Sequence, residues 1–372
     1  MSSANNYKVI SQASPHTIKK FELIEKYVES WAHILLQNSL CHDLIFIDCM
    51  CNSGEYTSED EKTIIGTHVR ASRILSDAAK KYPNKNIRII LNDNNSEKIN
   101  HLKKIVDAKE EKNFKTIFKN EDANALLKRI GPGIQRLKNA HCLLIYDPYD
   151  ASIDWDAVSP FINSWSEVII NHMVSDPARA IGVAKKDSTK QKYEKTYRTP
   201  FESLIPYGTD KNAYEKRVHE IINEINKNHK RDYYISSFPF FIRTNNIEYN
   251  LIHCTRHSKG FNLFKTTAWK TFDGRSSQKN LHGMENQLVI DDGIITSITD
   301  QSCYTLDNVA DYLYGIFDGR DDVKLEELWE ALAVHPVFPS DGFKKDIKGI
   351  LKNRYQARFT KNHVSFYAGD NK

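Results

Sequence analysis

The chain has 372 residues, 40% of them apolar and 27% charged, with a formal net charge of +4 at pH 7. That length accommodates two domains, that composition excludes wholesale disorder, and so small a charge neither requires nor forbids a nucleic-acid partner. The apolar runs fall far short of the ~20 residues of a membrane span, and the N-terminal segment lacks the apolar core of a secretion signal, so no membrane is expected and the cytoplasm is the expected compartment. The six cysteines are scattered, apart from Cys49 and Cys51, and form no zinc framework, so no metal site is expected.

Residues 16–38 carry Phe21, Ile24, Tyr27, Val28, Trp31, Ile34 and Leu35 at helical spacing and predict an amphipathic helix. A buried strand over 44–47 ends at Asp48. The stretch CMCNSGEYTSEDEKTIIG then reads as a loop, with a helix over 67–80 behind it. A second strand over 87–91 ends at Asn92-Asp93, and a helix over 96–109 follows with Ser96 as its cap. A weaker strand over 115–118 leads to Glu121-Asp122 and a helix over 123–130. The strand over 142–146 runs into Asp147-Pro148-Tyr149, followed by a helix near 155–165 and a strand over 167–171. Strands alternating with helices predict an α/β fold with a doubly wound, mostly parallel sheet.

From 177 to 231 the chain turns polar and basic, with one helix near 212–226. Two β-rich runs, 233–242 and 248–257, are joined by RTNN and predict an antiparallel hairpin that ends the sheet. Beyond 306, helices around 325–333 and 340–354 and a hairpin around 360–362 read as a small winged-helix-like unit. The domains expected are therefore 1–290, with the basic helical insertion at about 177–231, and 291–372.

Ligands of doubly wound sheets bind at the carboxyl ends of the strands. Asp48, Asp93, Asp122 and Asp147 each follow one of four successive strands. Any one of them also reads as a helix cap; four in order suit a nucleoside-bearing cofactor laid across the strand ends. The small residues Asn52-Ser53-Gly54 let backbone approach such a cofactor. Asp93 suits the two ribose hydroxyls, Asp122 an adenine amino group. Asp147-Pro148-Tyr149 then faces the reactive end. A carboxylate and a proline-held carbonyl accept the two N–H bonds of an exocyclic amine and free its lone pair, while the aromatic ring stacks on the base.

This layout resembles the class I S-adenosylmethionine-dependent methyltransferases, and within them the three-Cys-motif partner proteins (TcmP family). The segments that carry the resemblance are SPHTIKKFELIEKYVESW, FIDCMCNSGEY with GTHVRAS, IILNDNN, EDAN, LLIYDPYD and HCTRHSKGFNLFKTTAWKTF. It implies a Rossmann-like methyltransferase domain with an appended winged helix, S-adenosylmethionine as cofactor, and a three-Cys-motif, radical-SAM-like protein as partner. Residue by residue, it implies cofactor positions at Asp48, Gly54, Asp93 and Asp122 and a catalytic group of Asp147, Pro148 and Tyr149. The chain departs from the family at the first loop, where bulkier residues replace the Ala and first Gly of D-x-F-A-G-x-G, and at the amine signature, which has one proline in place of two.

Two basic features suit a substrate. Lys19 and Lys20 lie near the start of a helix that lids the mouth in such folds. Lys185, Lys186, Lys190, Lys192 and Arg198, with Tyr193 and Tyr197 interleaved, suit a phosphate backbone with stacked bases. Lys344, Lys345, Lys348, Lys352 and Arg354 give the last helix a similar character. The expected function is methyl transfer from S-adenosylmethionine to a base amine of RNA or DNA. The alternative is a nucleotide-binding or non-catalytic partner of a three-Cys-motif protein, in phage defence or a mobile element.

Overall fold

The computed structural model describes residues 9–106, 112–162, 165–227, 233–243, 246–278, 288–291, 294–297 and 304–366. Five parallel strands make its centre: β1 (Asp43–Asp48), β2 (Asn86–Asn92), β3 (Phe114–Lys119), β4 (Ala140–Tyr146) and β5 (Ser166–Met173), ordered β3-β2-β1-β4-β5. The register sets Phe46 beside Ile89 and Leu143. All seven residues of β4 are buried, which is why this strand reads as a continuous apolar run: helices cover both of its faces. Next in the hydrogen-bonded order come β7 (Asn246–Thr255), antiparallel to β5, then β6 (Tyr234–Arg243), and the short β8 (Ser277–Gln278), parallel to β6.

The strand order reverses direction at β1. Right-handed crossovers therefore put α2 (Thr67–Lys81) and α3 (Ser96–Ile105) on one face, and α4 (Ala123–Arg136) and α5 (Trp155–Ile162) on the other. The leading helix α1 (Pro15–Gln37) packs on α2, and α4 packs on α5. Gly131 makes the second packing close, since a Cβ there would sit 2.9 Å from Pro160 Cβ. The α1 stripe is buried at Phe21, Ile24, Tyr27, Val28 and Trp31. Its last turn shifts by one face: Leu36 is buried and Ile34 is 52% exposed.

Several local expectations need correction. The loop after β1 holds a short antiparallel pair, Glu55–Thr57 with Thr63–Ile65, and Ser11–Gln12 adds a parallel strand to it. Asn95, not Ser96, caps α3, accepting hydrogen bonds from the amides of Glu97 and Lys98. The helix α4 runs on to Arg136, past Pro132. The basic stretch contains α6 (Ser175–Ala180), α7 (Asp187–Tyr197), α8 (Phe201–Leu204) and α9 (Lys211–Asn226). The turn expected at RTNN, the end of the helix expected over 96–109 and residues 298–303 lie outside the described residues.

Two compact units are present: one spans up to 234 and 249–256, the other 235–248 and from 257 on. The second contains α10 (Ser258–Thr271), α11 (Leu306–Phe317), α12 (Leu325–Val334) and α13 (Lys344–Tyr355). It also contains a small antiparallel sheet in which His363–Ser365 lies between Val323–Lys324 and Arg358–Phe359. Polar side chains bind α10 into this unit. Buried Lys265 donates to the carbonyls of Leu332 (2.9 Å) and His335 (2.8 Å) at the end of α12, and the Trp269 indole donates to Val337 O (2.9 Å). No helix among the described residues is long and apolar enough to cross a membrane.

Candidate active site

The carboxyl ends of the first three strands are tied together by one side chain. Asn92, fully buried, donates from Nδ2 to Cys49 O and Glu121 O, both at 2.9 Å, and accepts at Oδ1 from Glu121 N at 3.2 Å. It thereby joins the loops after β1, β2 and β3. The Cys49 thiol donates to Ile145 O of β4 at 3.3 Å. Burial, followed by the negative charges of Asp48, Asp147 and Asp122, pushes this thiol up, so it stays protonated and unreactive.

Each acid nevertheless has its own partners. Asp48, 5% exposed, accepts from Met50 N at 3.3 Å and lies 3.4 Å from His68 Nδ1. Asp93, 2% exposed, accepts from Asn52 N at 3.0 Å with one oxygen and from Asn95 N at 2.9 Å with the other. This carboxylate holds the first loop and the start of α3. Asn52 adopts φ +59°, a left-handed conformation that asparagine tolerates, and its Nδ2 donates to Ser11 Oγ at 3.2 Å. Gly54 has φ +89°, and a Cβ there would meet Ile105, Leu102 and Val69 at 2.6–2.9 Å. Asp122 is exposed and caps α4 by accepting from Ala125 N at 2.9 Å.

Asp147 sits differently. One oxygen accepts from Lys20 Nζ at 2.6 Å, the other from Asn171 Nδ2 at 2.6 Å, and its side chain keeps 32% exposure. Lys20 itself is 7% exposed and lies 5.3 Å above the Tyr249 ring. Asn171 Oδ1 is buried and meets no donor among the described residues. A buried acceptor without a donor is unfavourable by about 1–3 kcal/mol. Pro148 is buried. Tyr149 is 70% exposed, with Lys98 Nζ donating to its hydroxyl at 3.0 Å and lying 5.3 Å from its ring centre. Acid, buried proline and projecting ring are therefore presented together at the end of β4.

The basic residues divide. Lys20 reaches the strand end, whereas Lys19 pairs with Glu22 at 2.9 Å along its own helix. Lys185 and Lys186 are exposed ahead of α7. Lys190 lies over Phe201, and Lys192 is drawn to Asp150 (3.1 Å) and Asp176 (3.8 Å). The stacking role expected of Tyr193 and Tyr197 is overturned. They are 1% and 0% exposed, because α7 turns both rings inward, where Tyr193 donates to Asp176 and Tyr197 meets His172 Nε2 at 3.1 Å. His253, in β7, is buried beside Glu167 at 2.8 Å. Asn92, Asn171 and Asn95 carried no sequence signal beyond their place after strands, since an asparagine's role depends on which chain ends surround it.

Fold and strand-end geometry together define a Rossmann-like α/β domain: a parallel sheet ordered β3-β2-β1-β4-β5 with an antiparallel β7 beside β5. No family model and no curated protein matches the chain. Among solved structures it is similar to Trm1 from Pyrococcus horikoshii in complex with S-adenosylmethionine, at 10% identity and TM-score 0.37, over 92% of this chain and 77% of that one. It is also similar to protein LPL1258 from Legionella pneumophila, at 9% identity and TM-score 0.38, over 68% and 92%. A loganic acid methyltransferase with SAH aligns at 8% identity and TM-score 0.30, over 72% and 85%.

Proposed function

We propose that the chain binds S-adenosylmethionine across the ends of β1, β2 and β3 and transfers its methyl group to a planar exocyclic amine on a nucleic-acid base. The supporting observation is the end of β4. Asp147 is held between Lys20 and Asn171 with part of its carboxylate open, and beside it the buried Asn171 Oδ1 lacks a donor. The open part of the carboxylate suits an N–H of an amine, and the exposed Tyr149 ring offers a face for the base. The Lys20 ammonium holds Asp147 in place, so Asp147 orients and polarises the amine while alignment with the sulfonium supplies most of the rate. Asp48, Gly54, Asp93 and Asp122 take their cofactor roles in this reading by shaping the crevice, with Asp93 acting through the loop it holds. The helices and three-stranded sheet beyond 306 are read as a winged helix contacting nucleic acid or protein, and the compartment as the cytoplasm.

The test is calorimetric titration of the intact chain with S-adenosylmethionine, followed by Asp147→Ala. Binding is expected in both proteins, and methyl transfer to RNA or DNA only in the parent. Turnover that survives Asp147→Ala sinks the assignment. A second reading is favoured by one observation: both oxygens of Asp93, the natural ribose ligand, already accept backbone amides. On that reading the domain is a non-catalytic partner of a three-Cys-motif protein of the TcmP type, in a defence or mobile-element setting, and S-adenosylmethionine fails to bind.

A further inference from the structure

A cleft of about 450 Å³ opens beside the end of β4, between the first turns of α4, residues 152–156 and the second half of α7. Four cations line it, Lys128, Lys192, Lys195 and Arg198, against two acids, Asp154 and Asp156. Lys128 is paired with Asp154 at 2.8 Å and Lys192 with Asp150 at 3.1 Å. Lys195 and Arg198 have no acidic partner among the described residues. Their wall is firmly built. Thr196, 1% exposed, accepts the Trp155 indole N–H at its carbonyl (2.7 Å) and Ile153 N at its hydroxyl (3.2 Å). Arg198 is fixed in a left-handed conformation at φ +45°, and Arg217 donates to its carbonyl at 3.2 Å and to Tyr197 O at 3.0 Å. Two uncompensated cations on a rigid wall, one of them a guanidinium, match the oxygens of a phosphate ester. The cleft is lined by Tyr146, the residue before Asp147.

We propose that this cleft is a phosphate subsite in which Lys195 and Arg198 hold a phosphodiester flanking the target base. The subsite rests on the nucleic-acid reading above and names where that substrate's backbone is gripped. Phosphate contacts of this kind set register and give salt-dependent affinity. The same chemistry would take the phosphate of a free nucleotide, and the test separates the two sources.

A fluorescein-labelled single-stranded RNA is titrated across a salt series into the full chain and into Lys195→Gln/Arg198→Gln. The exposed pair Lys103→Gln/Lys104→Gln on α3 serves as the control for net charge, and thermal unfolding verifies that all three fold alike. The cleft variant is expected to bind roughly tenfold more weakly, with the slope of log affinity against log salt reduced by about 1.4, as when two single-strand phosphate contacts are lost. Adenosine monophosphate is added as competitor. Failure to displace the RNA assigns the subsite to a polymer backbone, and displacement that the cleft variant abolishes assigns it to a mononucleotide. A cleft variant that loses no more affinity than the α3 control, or a parent that binds neither probe, overturns the subsite. Failure to bind S-adenosylmethionine overturns the methyltransfer reading and leaves this readout unaffected.

Discussion

Lys20 is the residue on which the candidate site turns. Its ammonium is nearly out of water and balanced by Asp147 and the Tyr249 ring. Lys20→Met leaves that carboxylate with Asn171 alone. The expected result is a loss of about 1.5–3 kcal/mol in urea unfolding, the scale of a hydrogen bond to a charged group, which Lys20→Arg partly restores. Gly54 gives a backbone test. With φ +89° and three side-chain carbons inside 3 Å of a new Cβ, Gly54→Ala is expected to destabilise by about 1–3 kcal/mol, read from the urea midpoint, and to lose cofactor binding with it. Asp122 separates a cap from a ligand. Asp122→Ser retains an N-cap and so keeps stability within about 0.5 kcal/mol; a fall in S-adenosylmethionine affinity without a change in unfolding would assign it to the adenine, and unchanged affinity would leave it a cap.

Elements were legible where the hydrophobic pattern is decided locally. The run Leu143-Leu144-Ile145-Tyr146 and the α1 stripe identify themselves because a fully covered strand and a one-sided helix have distinct periods. The small hairpin after β1 was not legible: its strands are three residues each and partly exposed, so no period develops. Nor was the inward turn of Tyr193 and Tyr197, which a basic, polar helix conceals. The strand-end acids were readable as positions, but their partners are long-range amides and side chains that no spacing encodes. The same holds for the buried group joining α1, β5 and β7, in which Tyr27 donates to Glu167 and His253 Nε2 lies 2.8 Å from the same oxygen. Removing one member leaves buried polar groups unmatched. Glu167→Ala is expected to lower stability by about 3–5 kcal/mol in urea unfolding, while Tyr27→Phe, which removes the hydroxyl's contacts with Glu167 and with His253 Nε2 (3.0 Å), loses about 1–3 kcal/mol.

At the scale of the molecule, stability falls on the acid side of neutrality. Burial pushes His172 down to about 3, with His219 adding to it, and His219 to about 4; burial and Lys265 push His335 to about 4. All three folded values lie below the ordinary 6.5, so the unfolded chain binds more protons as pH falls from 6.5 toward 3. Unfolding midpoints are expected to fall progressively across that window. Lys265 works in the same direction higher up. Burial holds it near 7 against an ordinary 10.5, so its contribution grows as pH rises between those values. Lys265→Met should flatten the profile there, and a variant whose profile parallels the parent's would show that the lysine is not buried in this way. One further consequence concerns the front of the chain. Because Ser11 is stitched to Asn52, and Ser11–Gln12 to Glu55–Thr57, a fusion or truncation that disturbs Ser11–Gln12 pulls on the loop after β1. Two laboratories handling differently tagged preparations could then disagree about ligand affinity while holding the same protein.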